Sequence, residues 1–425
     1  MSPTTVLGSW SFVFYSSVSF WIALIVVILL ARLLPSNPRA RSWLLLVCSS
    51  VLLLAIPQFS LGDLFLVWGM ATVSFGVSHI LSWPKGGVRS EGLRPWLAAF
   101  GVLAVLGFLA VFKYGFMQDF LWAPREHAPS TNYLSLLGVS YFSFKAIQVI
   151  VDSFKGSVAR FDALTYFNFI TFFPAFISGP ISRYNQFAEQ LSADKRGTIR
   201  VDLKLGAERI VHGLFKKFVL VQLFFPYAIV SQATPLAQQS TWQILLGLYA
   251  YALYLYFDFS GYSDMAIGAA RLIGIELPEN FNWPFLQKNI REFWGSWHMS
   301  LTSWLVDYVY WPIVRKLRNL QYFRVRPVLL SIVGMNATFV AVGAWHGEAL
   351  NFILWGVYHG IGISAVNVYQ RQKRRIRNKR VQRYFASRIS QVVGIISTFH
   401  FFIFGLALFA LNMEKLRILF SRLAG

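Results

Sequence analysis

Histidine is the side chain of this sequence whose type and context best suit catalysis. Seven histidines are present: His79, His127, His212, His298, His346, His359 and His400. Two stand in distinctive strings, His346 in WHGE and His298 in GSWHMS. A neutral histidine is the natural general base for activating a hydroxyl near pH 7, and burial favours the neutral form. A single buried histidine is sufficient for acyl transfer when the donor is an activated thioester.

Other hydrolytic chemistries lack their signatures in the sequence. It contains neither a G-x-S-x-G nucleophile elbow nor an H-E-x-x-H motif. His359 follows His346 by 13 positions, which gives no pair of metal ligands on a single helical turn. We therefore predict no metal site. Because His359 follows Trp355 by four residues on a helix, we predict a packing or hydrogen-bonding role for it.

The elements that carry these residues must lie in a membrane. Of the 425 residues, 56% are hydrophobic and 13% are charged, and the mean hydropathy is +0.51. A soluble domain has about twice this charged share, whereas a bilayer requires apolar surface on the outside of the protein. The composition excludes a soluble enzyme, a disordered chain and a disulfide scaffold. The single cysteine, Cys48, lies in an apolar run and is predicted to pack there.

The excess of positive charge is concentrated in loops. The formal net charge is +21, with nine basic and no acidic residues from Arg371 to Arg388 and five basic residues from Arg315 to Arg326. Such clusters follow the positive-inside rule, with anionic lipid headgroups or an acidic cytosolic partner as counter-charge. We predict a cytosolic location for both clusters and no binding of nucleic acid.

Eleven apolar segments predict an all-α membrane protein of about eleven spanning or partly spanning helices in a single domain, residues 1–425. Their short polar links leave no room for a second domain, and no internal repeat is visible. The segments lie near residues 10–31, 43–57, 62–82, 96–114, 133–151, 161–179, 205–231, 241–272, 327–345, 349–370 and 390–411.

Three of the hydrophobic stretches are irregular. FFPAFISGPISRY contains helix-breaking Pro174 and Pro180, and an irregular backbone at membrane depth must be buried or line a cavity. Asp258 and Asp264 interrupt another run, either as functional residues of a tunnel or as caps of a broken helix. The third stretch carries aromatic and leucine side chains at helical spacing, which predicts one amphipathic interfacial or re-entrant helix with His298 just beyond its apolar stripe. That stripe comprises Trp294, Trp297, Leu301, Trp304, Tyr308 and Trp311.

His346 is predicted to lie at the turn of a helical hairpin. It follows an uncharged run of 19 residues, and a second uncharged run of 22 residues begins after Glu348. Basic clusters flank both outer ends, so both ends face the cytosol. At about 1.5 Å per residue the first arm is roughly 28 Å long, which is enough to bring His346 to the far side of the membrane.

Several of these strings, in this order, resemble the membrane-bound O-acyltransferases, the MBOAT family. They cover about residues 133–370 and include FFPAFISGPISRY, YFDFSGYSDMAIGAARLIGIELPENFNWP, REFWGSWHMSLTSWLVDYVY and WHGEALNFILWGVYHG. The chain looks most like the bacterial branch of D-alanyl transfer proteins (DltB-like) and alginate O-acetylases (AlgI-like). The resemblance implies a fold with re-entrant or interfacial helices around a central tunnel.

The resemblance also implies site residues. The histidine of the WHG motif, here His346, would be the catalytic base, and the histidine of the WH motif, here His298, would be a second polar residue that orients or stabilises the reacting groups. Five further residues are candidates for the tunnel or the substrate site: Asp258, Asp264, Trp297, Trp345 and Asn282.

A short acyl group, D-alanyl or acetyl, would pass from a thioester on an acidic acyl carrier protein or on coenzyme A in the cytosol. The acceptor would be a hydroxyl of an extracytoplasmic envelope polymer, reached with a partner acyltransferase outside the cell, and the enzyme would lie in the bacterial plasma membrane without a bound cofactor. The modest length, the short ending after one last helix and WPIVRKLRNL after DYVY favour the D-alanyl type, whereas DFSGYSDMAIG and ENFNWP favour the alginate type. Of the two, we favour the D-alanyl type. A transporter or flippase for an envelope precursor, and a catalytically silent scaffold, remain open.

Overall fold

The computed structural model describes residues 18–33, 37–56, 59–83, 92–122, 136–158, 161–193 and 199–424. Across these ranges the chain is helical, and its one β-type pairing is an isolated antiparallel bridge. The all-α prediction is confirmed. The chain divides into two compact units, the first within Thr5–Leu214 and Gly261–Pro278, the second within Phe215–Ser260 and Glu279–Gly425. The single membrane domain stays a prediction.

In the part of the first unit that the structure describes, there are ten helices and the end of a further one. They are α1 Val18–Leu33, α2 Pro38–Leu54, α3 Leu61–Ser82, α4 Leu93–Lys113, α5 Gly115–Trp122, α6 Val139–Lys155, α7 Ala163–Thr171, α8 Phe173–Phe176, α9 Tyr184–Ser192 and α10 Ile199–Phe215. The C-terminal part of the long helix Thr241–Ile273 completes this unit.

The second unit contains the remaining helices. A π-helical turn, Lys216–Leu220, continues α10 and leads into α11 Val221–Phe224, and α12 Thr241–Ile273 begins in this unit. A second π-helical turn, Val306–Tyr310, joins α14 to α15. The other helices are α13 Ile290–Trp294, α14 Met299–Leu305, α15 Trp311–Arg318, α16 Gln321–Arg324, α17 Pro327–His346, α18 Leu350–Lys373, α19 Lys379–Ala386, α20 Arg388–Ala410 and α21 Met413–Ala424.

Each of the eleven predicted apolar segments contains a helix where the structure describes it. Within the described residues, seven helices are long and apolar enough to cross a membrane: α3, α4, the continuous stretch Arg200–Tyr227, α12, α17, α18 and α20. The segments containing α1, α2, α6 and α7 have shorter helices, of 9 to 17 residues. Residues 10–17, the start of the first segment, lie outside the described residues.

The irregular segment after α7 is confirmed as a buried helix break. The helix ends at Thr171, the single turn of α8 carries Pro174, and the backbone from Gly179 to Ser182 is buried and non-helical. Carbonyls in the last turn of a helix lack intrahelical partners. The buried ammonium of Lys145 donates to one of them, the Phe169 carbonyl, at 2.9 Å. The Lys145 ammonium thus supplies the hydrogen-bond donor that this carbonyl requires and that lipid tails cannot provide.

In the first unit, α10 and the C-terminal half of α12 approach each other backbone to backbone. A Cβ atom on Gly268 would lie 2.6 Å from the Gly206 carbonyl oxygen, and a Cβ atom on Gly213 would lie 2.7 Å from the Gly261 carbonyl oxygen. Each helix therefore presents two glycines seven residues apart to its neighbour. Small residues of this kind allow membrane helices to gain contact area, because lipid tails provide no hydrophobic drive for helices to associate.

We expect Gly268→Leu to destabilise the protein by about 1–3 kcal/mol, because the new side chain forces the two backbones apart. Gly107→Leu on α4 is the matched control, since a Cβ atom there has no neighbour within 4 Å. Thermal unfolding of both purified variants in the same detergent measures the difference. Equal melting temperatures of the two variants would show that the close approach of the two helices does not contribute to stability.

Candidate active site

His346 is the last residue of α17 and lies at the turn of the predicted hairpin, which is confirmed. Gly347 continues in an extended conformation, and α18 starts at Leu350. The two arms pack against each other closely: a Cβ atom on Gly343 would lie 2.3 Å from the Phe352 carbonyl oxygen. Because this contact lies one turn before His346, at the end of α17, it holds the histidine close to α18.

The imidazole of His346 is held among aromatic rings. The rings of Trp355 and Phe409 stand perpendicular to it, with centroids 5.1 and 4.9 Å away, and the Trp345 ring lies 4.5 Å away. The histidine itself is half-buried. The candidate tunnel residue Trp345 is thus a direct neighbour of the candidate base. Edge-on packing of this kind fixes the plane of the imidazole while leaving part of it accessible.

His298 has a backbone conformation that the sequence did not reveal. Its φ of 46° and ψ of 50° are left-handed, and it lies at the N-terminus of α14. The prediction of one continuous helix along the aromatic stripe is therefore wrong. α13 ends at Trp294, the chain turns through Gly295 to His298, and a new helix begins at Met299. The spacing of the apolar residues is helical, but the backbone pairs with another segment at the break.

That pairing fixes the environment of His298. Phe281 and Trp297 form the isolated antiparallel bridge, and the Met299 N–H donates to the Asn280 carbonyl at 2.9 Å. The Asn280 side chain is fully buried, and its Oδ1 lies 3.3 Å from His298 Nδ1. The Phe259 ring stands perpendicular to the imidazole at 4.6 Å.

The contacts of Asn280 determine the tautomer of His298. The Ser300 backbone N–H, which can only donate, points to the same Asn280 atom at 3.3 Å, and the Ser300 hydroxyl lies 2.6 Å from it. That atom is therefore the amide oxygen. An oxygen that accepts requires a proton on His298 Nδ1, so Nε2 is left with its lone pair. Burial lowers the pKa of His298 to about 3, which keeps the ring neutral at physiological pH.

Two candidate residues next to His298 have different surroundings. Trp297 is buried, with its ring stacked on Phe293 at 5.7 Å and 5.2 Å from the Phe402 ring. Asn282 is exposed, and its backbone N–H donates to the Ser296 carbonyl at 2.9 Å. Asn280 was not among the site residues predicted from the sequence. Its only signal was its place in the ENFNWP string, where two asparagines are two residues apart.

Asp258 and Asp264 each face a basic residue. In the second unit, Asp258 pairs with Lys217, and both are buried. In the first unit, the Asp264 Oδ1 lies 2.8 Å from the Arg209 Nε. Because α12 runs without interruption through both aspartates, the reading in which they cap a broken helix is wrong. Their role in a tunnel stays a prediction.

The other histidines occupy varied positions. His359 is fully buried and its Nδ1 accepts from the Trp294 Nε1–H at 3.3 Å, which is compatible with the predicted packing role. His79 stacks on the ring of Phe75, the His400 Nδ1 lies 2.8 Å from a backbone carbonyl oxygen, and His212 is exposed. His127 lies outside the described residues. Within the described ranges, no group of three or more metal-ligating side chains could hold a metal ion.

The model of the membrane-bound O-acyltransferase family, MBOAT, matches residues 41–409. The chain belongs to this family. It is therefore a multi-pass membrane protein and an O-acyltransferase, as predicted.

The relatives of this MBOAT chain differ in how much of their length it covers. A teichoic acid D-alanyltransferase of Bacillus subtilis is 31% identical over 406 residues, which are 93% of this chain and 97% of the relative. A probable alginate O-acetylase of Azotobacter vinelandii is 35% identical over 64% of this chain and 54% of its own length. A peptidoglycan O-acetyltransferase of Helicobacter pylori is 30% identical over 66% of this chain and 57% of its own length. The chain thus spans little more than half the length of each of the two acetyltransferases.

We expect Asn280→Ala to lower kcat by about tenfold or more, because His298 loses the acceptor that sets its tautomer. Asn319→Ala, at an exposed position at the end of α15, is the matched control and should retain turnover. Steady-state kinetics with the donor that the wild type uses measures both. Since burial lowers the pKa of His298 to about 3, well below the assay range, the pH profile of the Asn280 variant should keep the wild-type shape. A shifted midpoint would contradict the neutral, fixed tautomer.

The Lys217–Asp258 pair generates a separate prediction about stability. Asp258→Ala leaves a buried ammonium without its carboxylate and should destabilise the protein by about 3–5 kcal/mol. Replacement of both partners by apolar side chains, Lys217→Met with Asp258→Leu, should destabilise the protein less than Asp258→Ala does, because no charge remains buried. Thermal unfolding of the purified variants measures the comparison. A double variant as unstable as the single one would argue against the ion pair as the source of the loss.

Proposed function

We propose that this chain moves a short acyl group from a cytosolic thioester to a hydroxyl of an extracytoplasmic envelope polymer or carrier, in the bacterial plasma membrane. The observation that carries the proposal is the position of His346, half-buried between aromatic rings at the turn of a hairpin. The arm α17 has 20 residues, so it is about 30 Å long and matches the hydrocarbon core.

The two ends of the hairpin suit the two substrates. Basic residues follow the outer end of α18 and precede α17, which by the positive-inside rule faces the cytosol. An acidic carrier protein or coenzyme A would be attracted to that side. His346 lies at the opposite end, on the side from which an extracytoplasmic acceptor and its partner acyltransferase would approach.

In the reaction that we propose, His346 takes the proton of the acceptor hydroxyl while the oxygen attacks the thioester carbonyl. The new carbon–oxygen bond forms, the carbon–sulfur bond breaks, and the leaving thiolate takes up a proton. His298, neutral and with its Nε2 lone pair unprotonated, orients the reacting groups by hydrogen bonding.

We favour a D-alanyl donor on a carrier protein over acetyl-coenzyme A. The teichoic acid D-alanyltransferase of B. subtilis aligns over almost its entire length, whereas the alginate and peptidoglycan enzymes contain long regions without a counterpart here. A direct comparison of the two thioesters as donors decides between them.

Purified wild-type protein in nanodiscs should consume one of two labelled donors, D-alanyl carrier protein or acetyl-coenzyme A. We expect His346→Ala to lower this turnover by about 10²- to 10⁴-fold, as is typical for loss of a general base. The control is His212→Ala, because His212 is exposed. Wild-type acylation by a folded and inserted His346→Ala protein would exclude this residue as the base. Transport of a precursor without thioester consumption would instead support a flippase.

A further inference from the structure

The hairpin of α17 and α18 carries a groove at the end opposite His346. Its volume is about 410 Å³, and most of its lining is apolar. Five of its residues, spread over both arms, define it: Ile332, Asn336, Ile361, Ala365 and Val368. The floor contains a polar contact between the two arms, in which the Asn336 side-chain N–H donates to the Ser364 hydroxyl at 3.0 Å.

The dimensions of the groove match one leaflet of a bilayer. Along α18 it runs from Ile361 to Gln372, a rise of eleven residues or about 16 Å. That is about half of the roughly 30 Å hydrocarbon core. Ile361 is exposed and marks the deep end, near the middle of the membrane, whereas Gln372 lies at the rim. A single acyl chain that enters from the side would fill this length.

The rim of the groove is strongly basic. Gln372 lies within the cluster Arg371–Arg388, which contains nine basic residues and no acid. Arg374 and Arg375 follow the rim directly and are exposed. The short helix α19 folds back here, because the Phe385 ring packs 6.0 Å from the ring of Tyr369, another lining residue. A negative headgroup at the end of the apolar groove would therefore lie beside exposed positive charges.

We propose that this groove binds one acyl chain of an anionic glycerophospholipid from the cytoplasmic leaflet, with its phosphate headgroup at Arg374 and Arg375. Anionic lipids of that leaflet are attracted to such basic juxtamembrane clusters. A lipid seated between the outer ends of α17 and α18 stabilises the hairpin, because it binds the folded protein and not the separated arms. This site lies at the end of the hairpin opposite His346, on the side to which the donor is attracted.

Native mass spectrometry of the full chain in detergent tests the proposal, with phosphatidylglycerol and phosphatidylcholine of identical acyl chains as probes. We expect the wild type to retain one phosphatidylglycerol and to bind phosphatidylcholine more weakly. In Arg374→Gln/Arg375→Gln, affinity for phosphatidylglycerol should fall by about tenfold or more and approach that for phosphatidylcholine, because both rim charges are lost. Equal retention of the two lipids by the wild type would overturn the proposal.

A second variant distinguishes lipid bound in the groove from lipid bound nonspecifically elsewhere on the protein surface. Ala365→Trp fills the groove and should abolish retention of phosphatidylglycerol and its stabilising effect in thermal unfolding. Val393→Trp, at an exposed position of α20 that does not line the groove, is the matched control and should behave as the wild type. Undiminished retention by Ala365→Trp would overturn the proposal. If that variant does not fold, the lipid preference of the wild type and of the double arginine variant decides alone.

Discussion

The absence of water in the hydrocarbon core is the constraint on which this structure depends. A polar group at that depth must find its partner within the protein, and the buried cations obey this rule in two ways. Lys145 donates to a carbonyl at a helix end, and Lys217 pairs with Asp258. Each of these contacts ties together two segments that are distant in sequence. The few charges of the interior therefore contribute to the specificity of the fold, even where their net contribution to stability is small.

A second consequence of the bilayer is that helices must approach closely to gain from packing. Glycine supplies this approach at both ends of the hairpin: Gly343 lies against the Phe352 carbonyl near the turn, and Gly360 lies against Asn336 near the groove. The same pattern positions His346 and leaves a concave surface at the opposite end. The proposed catalytic base thus needs no loop scaffold, because two closely packed arms hold it.

Much of the fold could be predicted from the sequence, because helix length and apolar composition follow directly from the thickness of the bilayer. The hairpin of His346 and the break at Pro174 were both visible in this way. The site around His298 was not. Its aromatic stripe has helical spacing, but the helix is broken at Gly295, and the contact with Asn280 joins residues 18 positions apart through a backbone pairing that no periodicity signals. The partner of Asp258 was equally hidden, since Lys217 lies 41 residues away.

The two histidines have environments that suit different tasks. His298 is fully enclosed and oriented by a neutral amide, so the pKa that burial lowers to about 3 makes it a weak proton acceptor near pH 7. A general base works best with a pKa near the working pH. An enclosed neutral imidazole with a fixed tautomer instead offers a hydrogen bond of constant direction, which suits orientation of a substrate. His346 is half-buried and packed edge-on between rings, with part of its surface accessible. The difference in burial therefore favours His346 as the residue that accepts the proton.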